Sequence, residues 1–204
     1  MKLLNDLNES IEYLVENTAK GKNYFIEGNF LSADIPNRNR RIYPKHVMEH
    51  AVENYTKEFI KNNRAMGELN HPMPSNPTIN LDKVSHVIES LSFNGSNVVG
   101  KARVLSTPMG NILKTLIDEQ VKVGVSSRGL GSIKKLNNGL SEVQKDFYLG
   151  AIDVVSDPSG IGCFVDGITE SSEWILENGK WKQISGISIE EKINIFAKFL
   201  KTIK

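Results

Sequence analysis

The stretch Lys83 to Leu105, KVSHVIESLSFNGSNVVGKARVL, holds two runs rich in β-branched residues on either side of Asn94-Gly95. Asn-Gly readily takes the two left-handed positions of a tight hairpin turn, so residues 83–93 and 97–105 are predicted to pair as antiparallel strands. Outward from this hairpin, NYFIEGNFLSADI (Asn23–Ile35) predicts a strand before it, and VKVGVSS (Val121–Ser127) a short strand after it. Asn137-Asn138-Gly139 then turns the chain back into a strand over Phe147–Val155. Two helices interrupt the sheet. Val47, Ala51, Tyr55 and Phe59 follow Pro44 at helical spacing, and Met109, Ile112, Leu113, Leu116 and Ile117 do so behind Pro108. The pattern predicts an α+β fold, mainly antiparallel sheet with a few helices packed on it.

The two ends read differently. Leu4, Leu7, Ile11, Leu14 and Val15 mark one face of a helix, so residues 1–22 are predicted to be an N-terminal helical segment. After Asp157-Pro158-Ser159-Gly160 the chain is polar and turn-rich as far as Gly186. It closes with SIEEKINIFAKFLKTIK, where a Ser188-x-x-Glu191 capping box precedes Ile189, Ile193, Phe196, Leu200 and Ile203 on one face. The expected division is therefore 1–22, a central domain over 23–160, and 161–204 as linker and amphipathic helix.

Composition limits the function classes. The 204 residues carry 25 basic and 24 acidic side chains, a net charge of +1, so no global field draws the chain to nucleic acid or to a membrane. A single cysteine, Cys163, fits a reducing compartment. The opening MKLLNDLNES breaks its apolar run at Asn5 and Asp6, which does not read as a signal peptide. These features predict a soluble intracellular protein with no membrane partner. Arg38, Arg40, Arg41 and Lys45 crowd one segment, but only Tyr43 interleaves with them. That reads as a solvated loop rather than a nucleic-acid platform.

The chemistry centres on GVSSRGLGS, Gly124 to Ser132. It fails as a phosphate loop because Leu130 stands where lysine is needed, and as a dinucleotide fingerprint because Lys134 replaces the third glycine. It also lacks the glycine spacing of a nucleophile elbow around Ser126 or Ser127. What remains is a serine at a strand end followed by glycines and an arginine. A serine hydroxyl attacks only with a base in reach and a third group to orient that base. Four histidines are available. His46 and His50 spell H-x-x-E-H, but no third ligand accompanies them, so they are read as an exposed helix face and no metal is expected. His86 lies within a strand and is expected to be half-buried. His71 ends GELNHP at the start of a proline-rich loop, the setting in which a rigid scaffold presents a base.

Four blocks, NRNRRIYPK (Asn37–Lys45), GELNHP (Gly67–Pro72), GVSSRGLGS and AIDVVSDPS around Asp153, together resemble the prohead core proteases of T-even-type tailed bacteriophages. The similarity runs from about Tyr24 to Pro158. It implies a fold like that of the herpesvirus assemblins, a β-barrel wrapped by helices, and a serine endopeptidase of capsid maturation that needs no cofactor. By position, Ser126 matches the nucleophile, His71 the base and Asp153 the acidic member, with Glu68 as a rival orienter. Backbone N–H groups of Ser127, Arg128 and Gly129 are the expected oxyanion donors, if the glycines turn them toward one point. The family cuts after Glu in Leu/Ile-x-Glu sequences, so Arg38, Arg40, Arg41 and Arg128 are candidates to bind the P1 carboxylate. The implied substrates are phage scaffold and capsid proteins inside the prohead, in the host cytoplasm; a homo-oligomer stays open. Matches within the chain, among them Leu7-Asn8-Glu9, Ile168-Thr169-Glu170 and Ile175-Leu176-Glu177, suggest self-processing. The alternative is a non-catalytic core or scaffolding component with the same fold.

Overall fold

The computed structural model describes residues 2–8, 11–18, 21–72, 76–156, 173–177 and 180–184, with side chains for 23–72 and 76–156. In chain order the strands are β1 (Lys2–Asn8), β2 (Ile11–Thr18), β3 (Gly21–Ser32), β4 (Arg41–Ile42), β5 (Met66–Glu68), β6 (Val84–Asn94) and β7 (Asn97–Val104). They continue with β8 (Val123–Gly131), β9 (Ile133–Lys135), β10 (Ser141–Val143), β11 (Tyr148–Ser156), β12 (Glu173–Glu177) and β13 (Lys180–Ile184). Helix α1 (Lys45–Tyr55) continues into a π turn at Thr56–Ile60, and α2 spans Pro108–Asp118.

The hairpin forms, but Asn94 ends β6 paired with Asn97, so the turn residues are Gly95 and Ser96, with Gly95 alone left-handed at φ 64°. It is the centre of a five-stranded sheet ordered β2-β3-β7-β6-β5, and a second five-stranded sheet runs β11-β8-β1-β12-β13. A small sheet, β4-β10-β9, holds the segment around Arg41. Pro108 starts α2 behind Thr107, whose hydroxyl accepts from the Gly110 N–H at 3.0 Å as an N-cap. α1 buries Val47, Met48, Ala51, Val52 and Tyr55. These meet Ile26, Phe30, Ile88, Val98, Ile152 and Val154 in one core, and each large apolar side chain so buried contributes about 1.5–3 kcal/mol.

Three expectations change. Among the described residues no sheet closes on itself, so three open sheets stand in place of the barrel. The two large sheets pack against each other through this core and are tied by backbone pairing where Leu69 bridges Val154; β5 is three residues long, and the chain turns at Asn70. The N-terminal segment forms strands β1 and β2 rather than a helix. Its helical spacing is outweighed by antiparallel pairing of β1 with β8 and of β2 with β3, since a helix this short is marginal without tertiary support. The segment read as turn-rich contains the β12–β13 hairpin, while the amphipathic stretch 188–203 lies outside the described residues. No helix among the described residues is long and apolar enough to cross a membrane.

Candidate active site

Past Glu68 the chain runs beside β11, and the Asn70 N–H donates to the Val154 carbonyl at 2.6 Å. Asn70 takes φ 66°, the left-handed region that Asn tolerates better than most residues. This turn delivers His71 to the β8–β11 ladder, where Ser126 and Asp153 stand directly opposite each other. Side chains of such a pair emerge on one face of the sheet. His71 spans them: Nδ1 lies 2.8 Å from Asp153 Oδ2, and Nε2 lies 2.7 Å from Ser126 Oγ. With Asp153 ionised, Nδ1–H donates to the carboxylate, which leaves Nε2 to accept from the serine hydroxyl.

Asp153 is fully buried, and burial alone would favour its neutral form. The His71 hydrogen bond, the Arg128 charge and the Glu68 N–H, which donates to Oδ1 at 2.9 Å, together outweigh burial and hold its pKa below the usual value. The Arg128 Nη2–H donates to Asp153 Oδ1 at 3.1 Å and to Glu68 Oε1 at 3.0 Å. Arg128 Nε lies 2.9 Å from Asp153 Oδ2 but makes no aligned hydrogen bond, so this approach is a charge contact. Its Nη1–H donates to the carbonyls of Asn76 at 2.6 Å and Thr78 at 3.0 Å.

Arg128 is therefore occupied and buried, not a receptor for a substrate carboxylate. Glu68 binds Arg128 and the Asn80 N–H, whereas Asp153 holds His71. Arg38 and Arg40 are exposed and Arg41 is buried; Arg41 starts β4 in the small sheet. His46 and His50 sit at exposed positions on α1. Among the described residues no group of three or more His, Cys, Asp or Glu is placed to hold a metal.

Gly124–Ser132 is not a glycine-turned loop. It is almost wholly β8, with Ser127, Arg128 and Gly129 registered against β11 on one side and β1 on the other. Their N–H groups serve these ladders rather than converging on one point. Gly129 is small because the Phe147 ring and the Tyr148 carbonyl crowd its Cα. A strand also separates the two serines, since successive side chains leave on opposite faces. The same alternation puts residues 126 and 128 on one face, the signal that places Arg128 on the face of Ser126; reading the stretch as a loop hides it. His86, expected half-buried, is fully buried. Its Nε2–H donates to the Ile152 carbonyl at 3.0 Å, which leaves Nδ1 to accept from the Ser85 hydroxyl at 2.9 Å.

Residues 10–173 match the profile of the prohead core protein serine proteases. The chain belongs to that family. It is 40% identical over 154 residues to the prohead core protein protease of Enterobacteria phage T4, covering 72% of this chain and 71% of the relative. The fold is similar to the solved structure of the bacteriophage T4 capsid assembly protease, with a TM-score of 0.72 and 34% identity, over 77% of this chain and 98% of that one. The family and both relatives make this chain a prohead protease.

Proposed function

We propose that this chain is a serine endopeptidase that processes scaffold and capsid proteins inside the assembling phage prohead, within the host cytoplasm. The observation that carries the reading is His71 bonded at once to Ser126 and Asp153. In the proposed reaction His71 Nε2 takes the Ser126 proton as Oγ attacks the scissile carbonyl, then returns a proton to the leaving amine. Water repeats the sequence on the acyl-enzyme. Asp153 keeps Nδ1 protonated and stabilises the imidazolium. The oxyanion donors are those N–H groups of Ser127 to Gly129 that face β1, available once that strand leaves. The names of the T4 relatives support the prohead as the place of action.

A substrate lying along β8 as a strand puts every second side chain on one face. A Leu/Ile-x-Glu sequence fits such binding, with its two specified residues facing one way and the free one the other. Arg38 and Arg40 are the exposed guanidinium groups of the basic cluster and the proposed contacts for the glutamate, with Arg41 as their buried support.

Self-processing belongs to the same proposal. β1 covers β8 with Leu7 opposite Ser126, and Leu7 begins the match Leu7-Asn8-Glu9. The strand occupies the edge that a substrate needs, two residues out of register for attack after Glu9. The test is to incubate the purified chain with a peptide containing Ile-x-Glu, beside Ser126→Ala. Cleavage after Glu that Ser126→Ala lacks, and that a chelator leaves intact, is expected; a chelator-sensitive reaction would overturn the serine mechanism.

A further inference from the structure

We propose that Arg128 is a positioning residue of the site, acting with Glu68: its guanidinium fixes Asp153 and the two chain segments flanking His71, and sets how firmly His71 holds a proton. The proposal rests on the triad reading above and extends it to side chains that touch no reacting atom.

The geometry is that of a clamp. Glu68 lies three residues before His71, and Asn76 and Thr78 lie five and seven residues after it. All three bind Arg128, Glu68 through its carboxylate and the others through their carbonyls. Arg128 stands two residues from Ser126 on β8 and also contacts both oxygens of Asp153. One side chain thus touches the segments before and after the base, the strand of the nucleophile and the acid itself. Its side chain and that of Glu68 are each 1% exposed and Asp153 is fully buried, so solvent screens this charge set very little.

Charge gives the second half of the argument. Arg128 brings one positive charge against the two carboxylates of Glu68 and Asp153, leaving the cluster at net −1 while His71 is neutral. Protonating His71 makes the cluster neutral, the state required as Ser126 attacks. Without Arg128 the cluster would stand at −2 and hold the His71 proton to higher pH; without Glu68 it would stand at zero and release it at lower pH. Other polar groups near Asp153 carry no charge that competes at neutral pH. These are His86 from β6, neutral there because its pKa is pushed down to about 4, and the Tyr55 hydroxyl from α1, whose pKa burial raises. Ser126 is the remaining neighbour of the imidazole.

The test compares pH profiles of kcat/KM, with an Ile-x-Glu peptide, for wild type, Arg128→Met, Glu68→Gln and the double variant. The acid limb is expected to move up by about one pH unit in Arg128→Met and down by about half a unit in Glu68→Gln. In the double variant, which restores net −1, it returns toward wild type even though kcat stays low. A purely structural role lowers kcat without this pattern of opposite shifts and return. Unmoved limbs overturn the proposal. If Arg128→Met does not fold, the Glu68→Gln limb decides alone: a downward shift supports the charge argument and an unmoved limb ends it. Ser126→Ala is assayed in parallel. Activity retained there defeats the triad reading itself, whereas a dead Ser126→Ala with unmoved limbs defeats only the role of Arg128.

Discussion

Ser126 and Asp153 are direct cross-strand partners in the β8–β11 ladder, yet they communicate through His71 from a third segment. The two strands fix Ser126 and Asp153 relative to each other as rigidly as any two side chains in a sheet. His71 arrives on a turn built around Asn70, so its position depends on what anchors that turn. The proposed triad is half sheet and half loop, and the buried charges around Asp153 join the halves.

Ser126→Ala is expected to abolish peptide cleavage, while Ser127→Ala, altering a side chain on the opposite face of β8, leaves a measurable rate. Asp153→Asn removes the charge proposed to keep Nδ1 protonated and is expected to lower kcat by about 10⁴-fold, as it does in Ser-His-Asp proteases. Rates of the three purified variants check this. A dead Ser127→Ala beside an active Ser126→Ala would move the nucleophile by one residue.

His86 is expected to make the fold acid-sensitive. Its imidazole would take up a proton near pH 6.5 in the unfolded chain, but burial, its largest influence, delays this in the fold to about pH 4. Between these values the unfolded state binds more protons. Stability is therefore full above about pH 6.5, falls as the pH drops to about 4, and loses nothing further from this group below that. The loss is on the order of 3 kcal/mol at most. Urea midpoints at pH 7 and pH 4.5 should show a smaller acid-induced drop in His86→Gln than in wild type, whatever the variant's stability at pH 7. Equal drops would remove His86 as the cause.

Gly67 should tolerate no side chain. A Cβ there would overlap the His86 ring and the Ile152 carbonyl, both held by the hydrogen bond between them. Overpacking of this kind costs about 1–3 kcal/mol, and here it would push on the residue beside Asp153. Gly67→Ala should lower both the melting temperature and kcat. An unchanged melting temperature would show that β5 shifts freely.

The hairpin, both helices and the three side chains that meet at His71 were legible because each has a local signature: Asn94-Gly95, the proline-led helical spacings, and motif blocks carrying His71, Ser126 and Asp153. The N-terminal strands were not. Leu4, Leu7 and Ile11 satisfy a helical period, and only the distant partners β8 and β3 decide for extended chain. Arg128 was legible as an arginine near the site but not as a buried one. Its partners, Glu68, Asn76, Thr78 and Asp153, come from three other stretches of chain, and no spacing within a sequence reports that convergence. The short strands β4, β9 and β10 carry two or three residues each, below what alternation can signal.

Self-processing gives the last expected outcome. The chain contains several Leu/Ile-x-Glu matches, and access to an extended conformation must select among them. In the matches Ile117-Asp118-Glu119 and Leu140-Ser141-Glu142, Glu119 caps the end of α2 and Glu142 sits in β10 beside buried Ser141, so both should be spared. Glu9 follows β1 directly. To bring its carbonyl to Ser126 the strand must slide along β8 by two residues, a shift that preserves which side chains face which side, whereas a shift of one would not. Glu170 lies outside the described residues and Glu177 ends β12; cleavage at either would release the amphipathic stretch 188–203. Active protein is therefore expected to lose residues 1–9 and the chain beyond Glu170 or Glu177, and Ser126→Ala to keep both. Intact-mass spectrometry of the two proteins reads this directly. A wild-type chain that cuts added peptide while retaining both ends would show that β1 is displaced without being cut. The same fragments from Ser126→Ala would assign the cleavage to another protease.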